Sequence, residues 1–363
     1  VTGADRRPRL TAVSDSDAWG GAEVYLTHLL RRAEELDWTA SVIAAEPVAP
    51  VFGGLLSGDR VVVVPLTRHS AAAPALRAAL ARQRPDVVLV NLVDPGSNAA
   101  AVAAALDVAP TVGVLHLDGD SGGGDRRERL AALYHRMAAV LTPSSGGRNQ
   151  LLEDFGLPPG RVHVVPNGVD IPRDPRGPAG GGVPRVGGLG RLTEQKGFDV
   201  LIQAVQLLVA RGVALEVVVG GTGRDGLRLR EAAAGLPMRF CGPVADVRSF
   251  LAGLDVFCLS SRREALPLVL LEAMAEGLPC VATDVGDIRI AVGDGAEVVA
   301  AGDADALAAA LEGLLREPCR RQRLAQRARR AAVRAFDADR MARTTFAHLD
   351  AARGGDRGAA GEG

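Results

Sequence analysis

Lysine is almost missing from this chain. Of its 42 basic residues Lys196 is the one lysine, and the other 41 are arginines. A bias that replaces lysine wherever chemistry allows makes the survivor a candidate for a site that needs a compact ammonium and not a planar guanidinium. Long apolar runs are missing as well. No stretch reaches the roughly 18 apolar residues that suggest a membrane-spanning helix. Residues 1–8 lack the apolar core of a signal peptide, so no leader is expected there. Cysteine is scarce, and Cys241, Cys258, Cys280 and Cys319 share no Cys-x2-Cys spacing. Three of them fall in apolar segments and read as core thiols of a reducing, cytoplasmic compartment. Net charge is also lacking: a formal −1 gives no general attraction to nucleic acid or to an anionic membrane.

What is present is a repeated alternation of strand and helix. Apolar content is 47% and 363 residues suit two domains of ordinary size. Residues 10–14 read as a first strand, followed by Trp19-Gly20-Gly21-Ala22-Glu23 and an amphipathic run to about residue 36. Short apolar runs recur at 40–44, 61–64, 87–90, 111–115, 139–141 and 161–166, separated by alanine-rich helical stretches such as 74–83 and 98–106. The alternation predicts a parallel sheet covered on both faces. Residues 171–182 are rich in Pro and Gly and have the composition of a linker. Strands then restart at 185–189, 215–219, 239–241, 256–259 and 280–282, with helices over 198–211, 227–234, 266–276, 304–315 and 320–334. The expected organisation is a first domain over 1–170, the linker, and a second domain over 183–337. A helix over 338–352 returns to the first domain, and a glycine-rich tail over 353–363 is expected to be disordered. The fold class is α/β: two Rossmann-like, doubly wound domains facing a cleft, with ligands beyond the carboxyl ends of the strands.

Two motifs compete for the chemistry. Gly221-Thr222-Gly223-Arg224-Asp225-Gly226 spells the dinucleotide fingerprint G-x-G-x-x-G and raises a dehydrogenase reading. It follows the second strand of its half, and Phe240-Cys241-Gly242 stands where an acidic residue should close the next strand. The other motif is the segment 260–279, with Glu264 in a loop and Glu272 inside the following helix. Pro267 suits that helix's first turn. The free N–H groups of Leu268 and Val269 are then ready for a phosphate.

With these residues in place the chain resembles the family-4 retaining glycosyltransferases of the GT-B fold. The matching pieces are Gly20-Gly21-Ala22-Glu23, Val165-Pro166-Asn167-Gly168-Val169-Asp170, Gly190-Arg191 with Lys196-Gly197, Gly220-Gly221-Thr222-Gly223, Glu264 with Glu272, and Asp284-Val285-Gly286. They span nearly the whole chain. The resemblance implies that Arg191 and Lys196 grip the diphosphate of a nucleotide sugar, with UDP favoured. It implies that Glu272 holds the ribose and Glu264 the sugar hydroxyls. Gly21, Gly190, Gly221 and the main chain from Leu266 to Val269 line the donor, and Gly242 and Pro243 lie near the base. Pro267 removes one amide that relatives would offer. His116 falls where the family places a histidine beside the reacting carbon. No metal or cofactor is expected, and Asp15-Ser16-Asp17 reads as a loop motif. No covalent nucleophile stands out, so same-face attack is the expected route to retention.

Residues 1–170 hold 16 arginines and 19 acids, with acids gathered at strand ends. Asp17, Asp94 and Asp118, with His116, are therefore the candidate acceptor residues. The expected acceptor is soluble, polar and amine-bearing, such as an aminocyclitol in natural-product or antibiotic biosynthesis. A lipid or polysaccharide acceptor is the alternative within the class. A nucleotide-sugar epimerase, a phosphorylase and a non-catalytic binding subunit are the alternatives outside it. Neither nucleic acid nor stable membrane anchoring is expected. The 119–125 loop is expected to be mobile. Lys196 is expected to matter for donor use and not for folding.

Overall fold

The computed structural model describes residues 6–66 and 73–355. It divides into two compact units: the residues up to Gly168 together with those from Ala338, and Val169–Asp337.

The first unit is built on seven parallel strands: β1 (Arg9–Ser14), β2 (Thr39–Ala44), β3 (Val61–Val63), β4 (Val87–Leu92), β5 (Thr111–Leu115), β6 (Ala139–Thr142) and β7 (Val162–Val164). Their order is β3-β2-β1-β4-β5-β6-β7. Every residue of β4, VVLVNL, is buried, as expected of a central parallel strand with helices on both faces. The chain winds outward from β1 to β3 and then returns to place β4 beside β1. Loops leaving neighbouring strands on either side of such a reversal diverge, which opens a crevice at the strands' carboxyl ends.

The second unit repeats the plan with β8 (Arg185–Leu189), β9 (Glu216–Gly220), β10 (Met238–Gly242), β11 (Val256–Leu259), β12 (Cys280–Thr283) and β13 (Glu297–Val299), in the order β10-β9-β8-β11-β12-β13. The helix Phe198–Ala210 buries Phe198, Leu201, Val205 and Leu208 against this sheet. Each such side chain contributes about 1.5–3 kcal/mol by leaving water. Gly188 of β8 makes that approach possible, and Gly187 makes room for Leu254. A Cβ on Gly187 would lie 2.2 Å from Leu254 Cδ1, and on Gly188 2.9 Å from Phe198 Cε1.

Several expectations need correcting. The helix over 266–276 spans Leu268–Ala275, and Pro267 is its N-cap and not part of its first turn. The short edge strand β13 was not read from the sequence. The final helix runs Ala338–Gly355, so residues 353–355 continue it; the rest of the expected tail, 356–363, lies outside the described residues. Two cysteines, Cys258 and Cys280, are buried, not three.

The Pro- and Gly-rich stretch over 171–182 lies within the second unit and is tied to it at many points. The buried Asp255 accepts the N–H groups of Gly180 and Arg185 at 2.9 and 2.8 Å. The buried Glu276 accepts the Arg176 N–H at 3.1 Å and Arg248 Nε at 2.6 Å. The final helix belongs to the first unit, where Thr345 Oγ1 lies 2.9 Å from the buried Tyr25 Oη. Among the described residues no helix is long and apolar enough to cross a membrane.

Candidate active site

In the second unit the reversal falls between β8 and β11, and the loops that follow these two strands carry Lys196 and Glu264. Lys196 Nζ lies 2.6 Å from Glu264 Oε1, with the two side chains 15% and 8% exposed. Ser261 Oγ donates to the same Oε1 at 2.7 Å. The loops are fastened to one another. Ser260 Oγ donates to the Lys196 carbonyl at 3.0 Å, and the Arg262 N–H to the Gln195 carbonyl at 2.7 Å. Arg262 forks onto both Asp199 oxygens at 2.7 Å. That bond holds the Asp199 carboxyl below its ordinary pKa. Gly197, at φ 61°, lets the loops touch: a Cβ there would sit 1.9 Å from the Ser260 carbonyl oxygen. Gly286 does the same against Glu264, whose carbonyl oxygen would lie 2.1 Å from a Cβ.

The glycine-rich loop after β9 closes a third side. Gly221 has φ 122°, and a Cβ would meet the Gly190 carbonyl oxygen at 1.9 Å; one on Gly223 would meet that of Leu192 at 2.4 Å. The Gly221 N–H donates to the Gly242 carbonyl at 2.7 Å. These glycines are required by loop-on-loop packing, so the G-x-G-x-x-G spelling is explained without a dinucleotide.

The remaining donor candidates sit around this point. Leu266, Pro267 and Leu268 are buried, Val269 is half-buried, and Glu272 is half-buried one turn into the helix. Pro243 is exposed beside the half-buried Gly242. Arg191 is exposed with Nη2 3.5 Å from Gln195 Oε1, while Lys196 pairs with Glu264.

In the first unit the corresponding reversal, between β1 and β4, gathers a different set. Gly20 caps the helix Gly21–Arg31, and Gly21 is exposed. The buried Glu23 accepts the Gly20 N–H at 3.0 Å through Oε2. Its Oε1 accepts Ser14 Oγ at 3.1 Å and Ser16 Oγ. Asn91, buried at the end of β4, lies 3.5 Å from Glu23 Oε1 through Nδ2 and 2.5 Å from His116 Nε2 through Oδ1. The His116 ring packs edge-on to Tyr25, centroids 5.0 Å apart. Burial pushes its pKa down to about 3, so the ring is neutral at physiological pH. Sequence reasoning missed Asn91 and gave Glu23 no role. The available signals were a lone amide in an otherwise apolar strand and a glutamate at the third helical position, where a capping box places one.

The acidic candidates separate. Asp94 Oδ1 accepts the Gly96 N–H at 3.1 Å and closes a local turn. Asp17 is exposed. Asp118 is half-buried, and among the described residues its buried Oδ1 has no hydrogen-bond partner. Asp15 is buried and accepts Asn98 Nδ2. In the 119–125 loop, Gln150 brackets the main chain of Gly119 and Ser121 Oγ donates to Asp154 at 2.9 Å. Among the described residues no three His, Cys, Asp or Glu side chains gather as metal ligands. Two Asp-x-Asp triplets occur late in the chain. Asp303 caps a helix and Asp305 pairs with Arg211; Asp339 of the other triplet pairs with Arg32.

Residues 19–173 match the family described as Glycosyltransferase Family 4, and residues 183–317 the one described as Glycosyl transferases group 1. The glycogen synthase of Mycobacterium tuberculosis (strain ATCC 25618 / H37Rv) is 30% identical over 296 residues, 76% of this chain and 70% of that protein. The lipopolysaccharide core biosynthesis glycosyltransferase LpsE of Rhizobium meliloti (strain 1021) is 29% identical over 346 residues, 87% of this chain and 92% of that one. The phosphatidyl-myo-inositol mannosyltransferase of Mycolicibacterium smegmatis is 40% identical over 165 residues, 42% of each. Among solved structures, Anabaena HepE with UDP and glucose superposes with a TM-score of 0.78 at 18% identity, covering 95% of this chain and 100% of that one. Sucrose-phosphate synthase from Thermosynechococcus elongatus gives 0.75 at 19%, covering 95% and 100%. At such identities the structural likeness is one of fold, and the two family matches and the glycogen synthase carry the rest. The chain belongs to glycosyltransferase family 4 and is a glycosyltransferase of the GT-B fold.

Proposed function

We propose that this enzyme moves a sugar from a nucleoside diphosphate sugar to a hydroxyl of a polyhydroxylated acceptor, with retention at the anomeric carbon and without a metal. The observation that carries this reading is the Lys196–Glu264 pair at the reversal of the second sheet, next to a helix N-terminus. Breaking the glycosidic bond puts negative charge on the leaving diphosphate. A fixed ammonium and free main-chain N–H groups meet that charge without having to reorganise. Glu264 orients the ammonium through Oε1 and offers Oε2 to a sugar hydroxyl. Arg191 adds charge at the rim, and Glu272 takes the ribose. The first unit supplies His116, whose neutral ring orients the sugar without repelling an oxocarbenium-like centre. UDP is the favoured nucleotide, supported by the complexes of HepE with UDP and UDP-glucose.

A glycan, lipid-linked or polyol acceptor is favoured by the names of the relatives, which include lipopolysaccharide core, glycogen and phosphatidylinositol enzymes. The amine-bearing acceptor is the second reading. It rests on Asp118, whose Oδ1 has no partner among the described residues, and on the exposed Asp17; Asp94 closes its own turn. Incubation with UDP-, GDP- and dTDP-sugars should release nucleoside diphosphate slowly, and faster once an acceptor is found. NMR of the product should show the donor's anomeric configuration. An altered sugar on an intact nucleotide would mean an epimerase. Asp118→Asn leaving acceptor KM unchanged with an amine-bearing acceptor would remove the second reading.

A further inference from the structure

We propose that Glu23 and Asn91 are positioning residues for glycosyl transfer: Glu23 sets the orientation of the Asn91 carboxamide, and Asn91 fixes His116 as the neutral tautomer protonated on Nε2, with its lone pair on Nδ1. This rests on the reading of His116 given above.

Glu23 is 2% exposed and takes hydrogen bonds from two serine hydroxyls and the Gly20 N–H. A carboxylate can only accept, so the carboxamide beside it turns its NH2 group inward. The Asn91 oxygen then faces His116 Nε2 at 2.5 Å. Two lone pairs at that separation would repel, so Nε2 carries the proton. The partner of one ring nitrogen decides what the other can do. Asn91 is 1% exposed in a strand that is otherwise apolar, where an unsatisfied amide would be costly. Its place there is explained if both ends are used. Tyr25, tied to Thr345, holds the plane of the ring.

Glu23→Gln tests this without removing the helix cap, since glutamine serves in a capping box as glutamate does. The glutamine amide can donate to Asn91, allowing the carboxamide to reverse and present NH2 to His116. The expected result, read by 15N NMR of histidine-labelled protein with His116→Gln as the assignment control, is a switch from the Nε2–H to the Nδ1–H tautomer. Asn91→Leu should remove the tautomer preference. In both variants kcat for nucleoside diphosphate release should fall on the order of a hundredfold, with donor KM little changed. A wild-type ring protonated on Nδ1, or an unchanged tautomer in Glu23→Gln, would overturn the relay even if His116→Gln is inactive. A fully active His116→Gln would instead overturn the role of His116, and the effect on kcat with it.

Discussion

The two sheets of this protein reverse their strand order at equivalent places and fill the reversal with opposite chemistry. In the second unit it holds full charges: an ammonium against a carboxylate, beside a helix N-terminus. In the first it holds a carboxylate enclosed by donors and an imidazole kept neutral by burial. One site is built to meet charge, and the other to fix where protons sit. The fold supplies the crevice in both cases, and a few side chains decide what each crevice can recognise.

Lys196 offers the largest way to break this comparison. Lys196→Ala should lower kcat/KM for donor about a thousandfold by removing a fixed charge from the leaving group. The structure changes the expectation that folding would be untouched. The alanine variant strands Glu264, 8% exposed, without its counter-charge. Losing one partner of a buried pair should cost about 3 kcal/mol. Adding Glu264→Gln should restore stability in urea denaturation and leave activity low. Lys196→Arg should recover little of either, because a planar fork does not reproduce a compact ammonium 2.6 Å from Glu264 Oε1. Near-normal turnover in the arginine variant would show that charge alone is what the second crevice supplies.

Glycine gives the next contrast. Gly221→Ala forces a Cβ to within 1.9 Å of the Gly190 carbonyl oxygen at φ 122°. It should cost about 2–3 kcal/mol and displace the Lys196 loop. Gly20→Ala, in the loop after β1 of the first unit, meets nothing closer than Glu23 Oε2 at 3.6 Å. It should cost under about 1 kcal/mol, the difference between glycine and alanine at an N-cap. Thermal unfolding and the Kd for UDP measure both. Equal losses would mean the first crevice is as tightly nested as the second.

The alternation of strands and helices was legible because parallel strands buried on both faces read as short apolar runs, β4 above all. The strand β13 was not, since EVV between two alanines carries little pattern. Lys196 was legible from its rarity, but its contact with Glu264 was not, because the two are 68 positions apart and each read separately as a ligand for substrate. Glycine and proline in the 171–182 stretch suggested a loose linker. The residues that fasten it, Asp255 and Glu276, lie far along the sequence and no local signal joins them. Asp255→Ala should therefore cost the second unit about 2 kcal/mol by leaving two N–H groups without their carboxylate, measurable by urea denaturation.

A last expected effect separates the units by pH. His116 has its pKa lowered from 6.5 to about 3 when folded. Between those values the unfolded chain binds a proton that the folded chain refuses, so stability falls as pH drops through this window. His163 and His348 are lowered too and act in the same direction. Glu23 opposes them: its raised pKa favours the folded state at low pH, a contribution lost as pH rises through its folded value. In the second unit Asp199 is lowered below 3.8, so its contribution is complete above that value and is lost only as pH falls through the folded pKa. Hydrogen exchange in β4 and β5 should thus report loosening between pH 7 and 5 while β8 and β11 stay protected. His116→Gln should remove about 2 kcal/mol of that loss. Equal loosening of both sheets, or no change in the glutamine variant, would mean that the imidazole is not held neutral and that the two crevices differ less than their geometry implies.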